Sequence, residues 1–326
     1  MKIPRIPAAA AKQVVDSVRV YRQYMRLLDE LKEVEGSMLW KQAGAYEYLA
    51  RKVKGKFSYL GPRNAQTEAQ YTAFAQRKSK LSERARALKQ SVLTCQRMNK
   101  AVRAGSVPTP VINALGALED AGLSRQCVVL GAPALYAYSQ ISGVQLESAI
   151  AEGMNDVLTD ARTHLVLMLE KGDTSSAKVI AQLRKGAEAD VQIDPVGTGQ
   201  HTWLALELKW AEDVPSRPAS DGYWLALAPY LIPILEKSPR FEQVVIGKTG
   251  KMATMSTVDP LFFAALNTAI DHANTQASGT SFAAHISAKL VESMITAYLV
   301  EPKMDPATCS EAVSTIARRT DNFKEM

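Results

Sequence analysis

Residues 126–143 read QCVVLGAPALYAYSQISG, and this stretch decides the fold class of the chain. Cys127–Leu130 is a short apolar run with β-branched residues, which is typical of a buried strand. Gly131 and Pro133 interrupt the run. A helical segment follows and ends near a second glycine, Gly143. The stretch therefore predicts a strand, a glycine turn and a helix.

The segments around this stretch also alternate between strand and helix patterns. Strands are predicted at residues 154–158, 163–169 and 202–210, and a hairpin at 241–258. Helices are predicted at residues 9–35, 64–105, 111–122, 175–186, 259–275 and 281–300. Residues 45–60 fit either a hairpin or a helix with a turn. This mixed order predicts an α+β (mixed α/β) fold.

Charge divides the chain unevenly. Residues 1–104 contain 22 Lys and Arg against 8 Asp and Glu, whereas the remainder contains 17 against 25. The asymmetry predicts either a surface for polyanions or the docking of one region on the other. We expect a basic helical N-terminal region over residues 1–105, a core over 106–258 and a helical C-terminal region over 259–326.

Composition excludes several classes of protein. At 47% hydrophobic and 22% charged residues the chain has enough apolar residues for a sizeable core. It contains no apolar run of about 18 residues, so no membrane span is expected. Its three cysteines are far apart and form no C-x-x-C pair. This pattern argues against a zinc site or a disulfide framework and predicts a cytoplasmic protein.

A second stretch, EGMNDVLTDAR at residues 152–162, carries the candidate chemistry. If it forms a strand, Glu152, Met154 and Asp156 lie on one face, because alternate residues of a strand share a face. Carboxylates placed in this way can hold Mg²⁺ ions that clamp the attacking and leaving oxygens of a transfer reaction. The glycine turn before it leaves backbone N–H groups for a triphosphate. Together these features are the layout of a nucleotidyltransferase site.

The chain resembles a bacterial family of nucleotidyltransferase-fold proteins in the DNA polymerase β-like superfamily. The resemblance extends from about residue 36 to residue 267. It rests on the order and spacing of GSMLWK, LGPRNAQTEAQY, AGLSRQCVVLGAPALYAYSQISGV, NDVLTDAR and PRFEQVVIGKTGKMATM. It implies a polymerase β-type core that transfers a nucleotidyl group from an NTP, with Mg²⁺, to RNA, a protein or a small molecule.

The resemblance also implies a degenerate metal motif. The family strand reads T-x-D-I-D-L-L-x-D-A-R, and alignment on Asp160 places its second aspartate at Asp156. Met154 then replaces the first aspartate, and a thioether is a poor ligand for Mg²⁺. Glu152 lies two positions away on the same face. The third acid aligns with Asp213, and Asp190, Asp194 and Glu207 remain alternatives.

Other positions of the family pattern have changed as well. Gly131 is followed by Ala132 and by Pro133, which removes one N–H that could bind phosphate. Lys41 and Arg63 lie in shared segments and are candidate triphosphate contacts. After Asp259 and Pro260 the family carries an arginine and then a His-Lys pair, but this chain has Leu261, Leu266 and Asn267.

Two hypotheses stay open at this point. In the first the chain is an active nucleotidyltransferase that uses Asp156, Glu152 and Asp213, with Asp156 and Asp213 as metal ligands. In the second it is a pseudoenzyme whose basic helical region binds nucleic acid, another protein or a second copy of the chain.

Overall fold

The structure is a computed structural model. It describes residues 3–149, 153–170, 176–187, 190–195, 203–210, 231–236, 239–278, 282–298 and 300–320. The chain divides into two compact units. The N-terminal unit is Val15–Met98, and the sheet unit comprises Met1–Val14 and Asn99–Met326. The three predicted regions, 1–105, 106–258 and 259–326, stay a prediction.

Two long helices connected by a small sheet make up the N-terminal unit. They are α1 (Ala8–Glu33) and α2 (Ala65–Ala101), as predicted. Shielded positions alternate at spacings of three and four, which is the pattern of a coiled-coil seam. In this unit they include Ser17, Tyr21, Tyr24, Leu28 and Leu31 of α1 and Thr67, Tyr71, Phe74, Lys78, Leu81, Ala85, Leu88, Val92 and Cys95 of α2, and Leu27 is shielded beside this series.

The two helices run antiparallel. Near the start of α1 the Gln13 side-chain amide donates to Asn99 Oδ1 at 3.1 Å, and near its end Arg77 of α2 pairs with Glu33. Val15 is 67% exposed. Its neighbour Val14, the last residue of α1 in the sheet unit, is buried.

Residues 37–62 form a three-stranded antiparallel sheet, which resolves the ambiguity at 45–60. Its strands are β1 (Ser37–Ala43), β2 (Tyr46–Val53) and β3 (Lys56–Pro62). Lys54 and Gly55 connect β2 to β3, and both have positive φ, 49° and 84°. Two such residues form the type I′ turn that matches the twist of a hairpin.

The sheet unit is built on a six-stranded mixed sheet of order β6-β7-β5-β4-β9-β8. Its strands are β4 (Cys127–Leu130), β5 (His164–Glu170), β6 (Asp190–Pro195), β7 (Trp203–Lys209), β8 (Phe241–Ile246) and β9 (Met252–Thr257). The β4–β9 pair is parallel and the other four pairs are antiparallel. The predicted mixed α+β class is confirmed, as is the predicted hairpin at residues 241–258.

Helices pack against this sheet. Its helices are α3 (Thr109–Asp120), α4 (Leu135–Ser142), α5 (Met154–Thr163), α6 (Ser176–Ala187), α7 (Pro260–Ser278), α8 (Phe282–Tyr298) and α9 (Pro306–Thr320). Leu115 and Leu118 of α3 lie beside Cys127 and Val129 on one face. The Tyr138 ring of α4 lies 5.2 Å from that of Phe241 in β8. No described helix is long and apolar enough to cross a membrane.

The predicted strand at residues 154–158 is wrong, because these residues begin helix α5. The buried residues Met154, Val157, Leu158 and Ala161 recur at i, i+3, i+4 and i+7, which is the apolar stripe of a helix. Gly153, with φ of 78°, precedes the first turn. Five residues fit both periods, and packing against the core selects the helix.

Candidate functional site

The turn after β4 uses its polar groups locally. Gly131 has φ of 72°, a conformation that favours glycine, and Ala132–Ala134 form one 3₁₀ turn. The Ala134 N–H donates to the Gly131 carbonyl at 3.1 Å, and Pro133 has no N–H. Ala132 and Ala134 are buried. The turn thus offers fewer phosphate donors than the motif predicts, and nucleotide contact at Gly131 and Ala132 stays a prediction.

Helix α5 separates the candidate metal ligands that a strand would have brought together. Asp156 lies exposed in its first turn, whereas Met154 is 4% exposed and belongs to the core. Residues two apart on a helix do not share a face, so the i, i+2 argument for Glu152, Met154 and Asp156 does not hold here. Glu152 itself lies outside the described residues.

The end of α5 leads into a polar group at the start of β5. Asp160 Oδ1 lies 3.5 Å from His164 Nδ1, and Thr163 Oγ1 lies 2.8 Å from the same nitrogen. The Thr163 hydroxyl donates to the Thr159 carbonyl, so its oxygen accepts from the imidazole. This geometry assigns a proton to His164 Nδ1.

Strand β7 brings a buried carboxylate to the same end of the sheet, where β5 begins. Glu207 is 2% exposed, and its Oε2 lies 3.4 Å from Lys209 Nζ. The register places Leu130, Val166 and Glu207 in one row, two strand spacings or about 10 Å across. Alternation puts Glu207 and Lys209 on the sheet face that carries His164. A buried carboxylate costs several kcal/mol unless it is paired or used.

The remaining alternatives for the third acid are only partly described. Asp190 lies opposite Lys209 in the β6–β7 register, and Asp194 lies opposite Ala205, but their side chains lie outside the described part of the structure. Asp213 lies outside the described residues altogether. Glu207 is thus the one of the four whose side-chain position is described.

The described residues do not by themselves provide a metal site. Among them, no group of three or more His, Cys, Asp or Glu side chains is close enough to hold a metal ion. Mg²⁺ requires near-octahedral oxygen ligands and binds through one or two carboxylates with water and phosphate. Binding of Mg²⁺ at Asp156 and Asp213 therefore stays a prediction.

Lys41 and Arg63 both belong to the N-terminal unit, where each has local partners. Lys41 Nζ lies 3.4 Å from the centroid of the Phe57 ring. Arg63 binds Glu68 at 2.8 Å and Glu47 at 2.6 Å, and hydrogen bonds to these two carboxylates raise the pKa of Arg63. The guanidinium has a structural role in joining β2 to the start of α2. Triphosphate contact by either residue stays a prediction.

Comparison with known proteins decides the family. The family model described as Nucleotidyltransferase matches residues 109–279, just over half of the 326 residues, from the start of α3 to the end of α7. The chain belongs to this nucleotidyltransferase family. No curated protein and no solved structure matches it.

The nucleotidyltransferase scaffold also contains a polar cluster that the sequence reasoning missed. Tyr136 Oη, Glu147 Oε1 and Arg162 Nε are buried and have no hydrogen-bond partner among the described residues. Burial raises the pKa of Tyr136, the Glu147 charge raises it further, and Arg162 opposes both. Arg162 lies in the DAR segment of the family pattern, which was the one signal for this cluster in the sequence.

A cleft of about 570 Å³ lies beside the C-terminal half of α4. Arg103, Lys248, Ser139 and Gln140 line it, and Glu147 connects it to the polar cluster. Its volume is in the range of small-molecule sites. The sequence offered no signal for it, because its lining comes from four separate segments.

The positions that follow Asp259 have structural roles. Asp259 is 2% exposed, and its carboxylate accepts from the backbone N–H groups of Leu261, Lys303 and Met304 at 3.0, 2.6 and 3.2 Å. Leu266 and Asn267, where the family pattern has His-Lys, are buried in α7. This part of the nucleotidyltransferase pattern serves packing in this chain.

Proposed function

We propose that this chain transfers a nucleotidyl group from a nucleoside triphosphate to an acceptor hydroxyl, with Glu207 as the acid of its altered site. The observation that carries the proposal is the buried Glu207 carboxylate, which lies at the end of the sheet where β4 leads into the Gly131 turn. The match over residues 109–279 supports the reaction class.

The chemistry requires a base and a compensating charge. The oxygen of the acceptor hydroxyl forms a bond to the α-phosphorus, and the bond between the α-phosphorus and pyrophosphate breaks. The proton of that hydroxyl must pass to a base. In the proposed step Glu207 takes this proton, and the Lys209 ammonium, 3.4 Å from Glu207 Oε2, balances the charge of the carboxylate before the transfer. RNA, a protein side chain or a small molecule are all acceptors with this chemistry.

The test is label transfer from each α-labelled NTP, with Mg²⁺ or Mn²⁺ and with RNA and protein as acceptors. We expect Glu207→Gln to lower the rate by about 10²–10⁴, the usual contribution of a general base. Glu170→Gln changes an exposed acid at the far end of β5 and should leave the rate unchanged. Transfer that survives in Glu207→Gln would refute the role of Glu207.

The same assay tests the acids predicted from the sequence. Loss of transfer in Asp156→Ala, Glu152→Gln or Asp213→Asn, with transfer retained in Glu207→Gln, would place the site where the family motif predicts it. The metal dependence of each variant would then show which carboxylates hold Mg²⁺.

A second function, binding without transfer, is favoured by a different observation. Met154 occupies the core where the family has a metal ligand, and the Gly131 turn is buried. Loss of one carboxylate from a two-metal site removes several kcal/mol of transition-state stabilisation. In this case the N-terminal unit binds a polyanion or a protein. Absence of transfer with every NTP, and of metal-dependent NTP binding, would select this function over the first.

A further inference from the structure

The small sheet of the N-terminal unit has one covered face and one open face. The Trp40 ring lies 5.9 Å from Tyr71 of α2, and the Arg51 guanidinium lies 5.7 Å from the ring of Phe74. The face that carries Trp40 and Arg51 therefore packs on α2. The register pairs place the alternate residues on the opposite side. We call this side the outer face; it carries Leu39, Lys41, Tyr48, Ala50, Lys52, Phe57 and Tyr59.

The outer face exposes two aromatic rings in an ordered array. Tyr59 is 60% exposed and Phe57 is 40% exposed. They are two residues apart on β3, so their side chains point in the same direction, about 6.6 Å apart along the strand. Large exposed rings that share one face are typical of a surface that binds a partner.

Two lysine side chains lie close to the Phe57 ring. Lys41 Nζ lies 3.4 Å and Lys52 Nζ 5.4 Å from the centroid of Phe57. Residues 37–63 contain six Lys and Arg against one acid, Glu47. Arg63 is held by Glu47 and Glu68, and Arg51 donates to the carbonyl oxygens of Glu33 and Glu35. The positive charge that faces outward thus comes mainly from lysines.

We propose that the outer face binds a single strand of nucleic acid. Bases stack on Phe57 and Tyr59, and Lys41 and Lys52 contact the phosphates. Stacking on aromatic side chains beside a cationic groove is how proteins bind single strands without reading their sequence. The spacing of about 6.6 Å is twice the 3.4 Å rise of a duplex strand, so the rings fit an extended strand with unstacked bases.

The same surface discriminates against other polyanions. A duplex keeps its bases inside and presents only phosphates, so Phe57 and Tyr59 would add nothing to its binding. An acidic peptide would pair with the lysines but leaves the two rings without a partner. Single-stranded nucleic acid is the ligand that uses both the rings and the lysines.

This inference names a partner for the second function proposed above and does not depend on the first. Binding is therefore measured in EDTA without NTP, so that its failure and a failure of nucleotidyl transfer are separate results. The probes are fluorescein-labelled 12-nucleotide oligo(U) and oligo(dT), a 12-base-pair duplex and a 12-residue oligoglutamate peptide. The readout is fluorescence anisotropy of the full chain at several salt concentrations.

We expect the full chain to bind either single strand more tightly than the duplex or the peptide. Phe57→Ala with Tyr59→Ala should weaken binding about tenfold or more. Tyr59→Phe keeps the ring and should stay within about twofold. Leu93→Ala, which removes an exposed apolar side chain from α2, is the matched control and should have no effect.

The role of the lysines is tested by the salt dependence of binding. Their replacement would leave this dependence unchanged if they had only a structural role. Lys41→Gln with Lys52→Gln should reduce the slope of log K against log[salt] by about 1.4, or 0.7 for each phosphate contact. Lys80→Gln with Lys89→Gln removes the same charge from exposed positions of α2 and should keep the slope. The proposal is overturned if the full chain binds no single strand. Equal or tighter binding of the duplex or the peptide, or unchanged binding by the folded aromatic variant, also overturns it.

Discussion

Replacement of Met154 by aspartate would restore the family's first acid. It tests whether α5 directs residue 154 into the core. Met154 is 4% exposed, so Met154→Asp removes a core side chain at a cost of about 2–5 kcal/mol. Burial of a carboxyl group without a partner adds about 1–3 kcal/mol. We therefore expect the free energy of unfolding to fall by about 3–8 kcal/mol. That is a large part of the 5–15 kcal/mol of a typical domain.

The assay is urea unfolding followed by tryptophan fluorescence in a Trp40→Phe background. Of the remaining tryptophans, Trp203 and Trp210 belong to the sheet unit, and Trp224 lies outside the described residues. Asn155→Asp is the matched control, because it adds the same charge at an exposed neighbour in the first turn of α5. A carboxylate there interacts favourably with the helix dipole, by about 0.3–1 kcal/mol.

One result would refute this reasoning. If Met154→Asp unfolds within about 1 kcal/mol of Asn155→Asp and gains stability with added Mg²⁺, then residue 154 faces a metal site. Residues 154–158 would then form the strand that the family motif predicts, rather than the start of helix α5.

Three further predictions concern packing, capping and pH. An added Cβ at Gly186 would meet the Ala117 Cβ at 2.4 Å, whereas one at Gly116 would meet nothing within 4 Å. Gly186→Ala should therefore lower the free energy of unfolding in urea by about 1–3 kcal/mol, and Gly116→Ala should raise it by about 0.5–1 kcal/mol; equal effects would contradict the α3–α6 packing. Asp259→Ala leaves three backbone N–H groups without their acceptor and should cost about 2–4 kcal/mol in thermal unfolding, with Asp259→Asn milder. Burial raises the pKa of Cys127 from 9.0 to about 12, so its contribution is complete below pH 9 and is lost as the pH rises towards 12. Cys127 should contribute a fall of about 1.4 kcal/mol in the unfolding free energy for each pH unit in this window, and Cys127→Ala should make the measured slope smaller by that amount.

Local patterns predicted most of the elements of this chain. The hairpin at residues 241–258 and the long helix at 64–105 each carry a pattern over enough residues to exclude the alternative, and the β-branched run at Cys127–Leu130 is bounded by a glycine turn. Residues 154–158 are too few for this, because their apolar positions fit periods of both 2 and 3.6. The stripe that decides for a helix becomes visible only when Ala161 is included.

The candidate site was less predictable than the fold. The family pattern drew attention to Asp156, which lies exposed on a helix, and left Glu207 as one of four acids. Glu207 gains its place from the pairing of β5 with β7, two strands that are about 40 residues apart. The open face of the small sheet likewise depends on which side of β2 packs against α2.

The sequence by itself determined the class of the fold, the family and the charge of the N-terminal third, because turn residues, periodicity and composition act over short distances. Only the tertiary structure decided that Met154 lies in the core, that Glu207 lies in the row of Leu130 and Val166, and that Phe57 and Tyr59 face outward. The physical reason is that strand register and helix packing are set by contacts between distant segments. A difference of one residue in register moves every side chain of a strand to the opposite face.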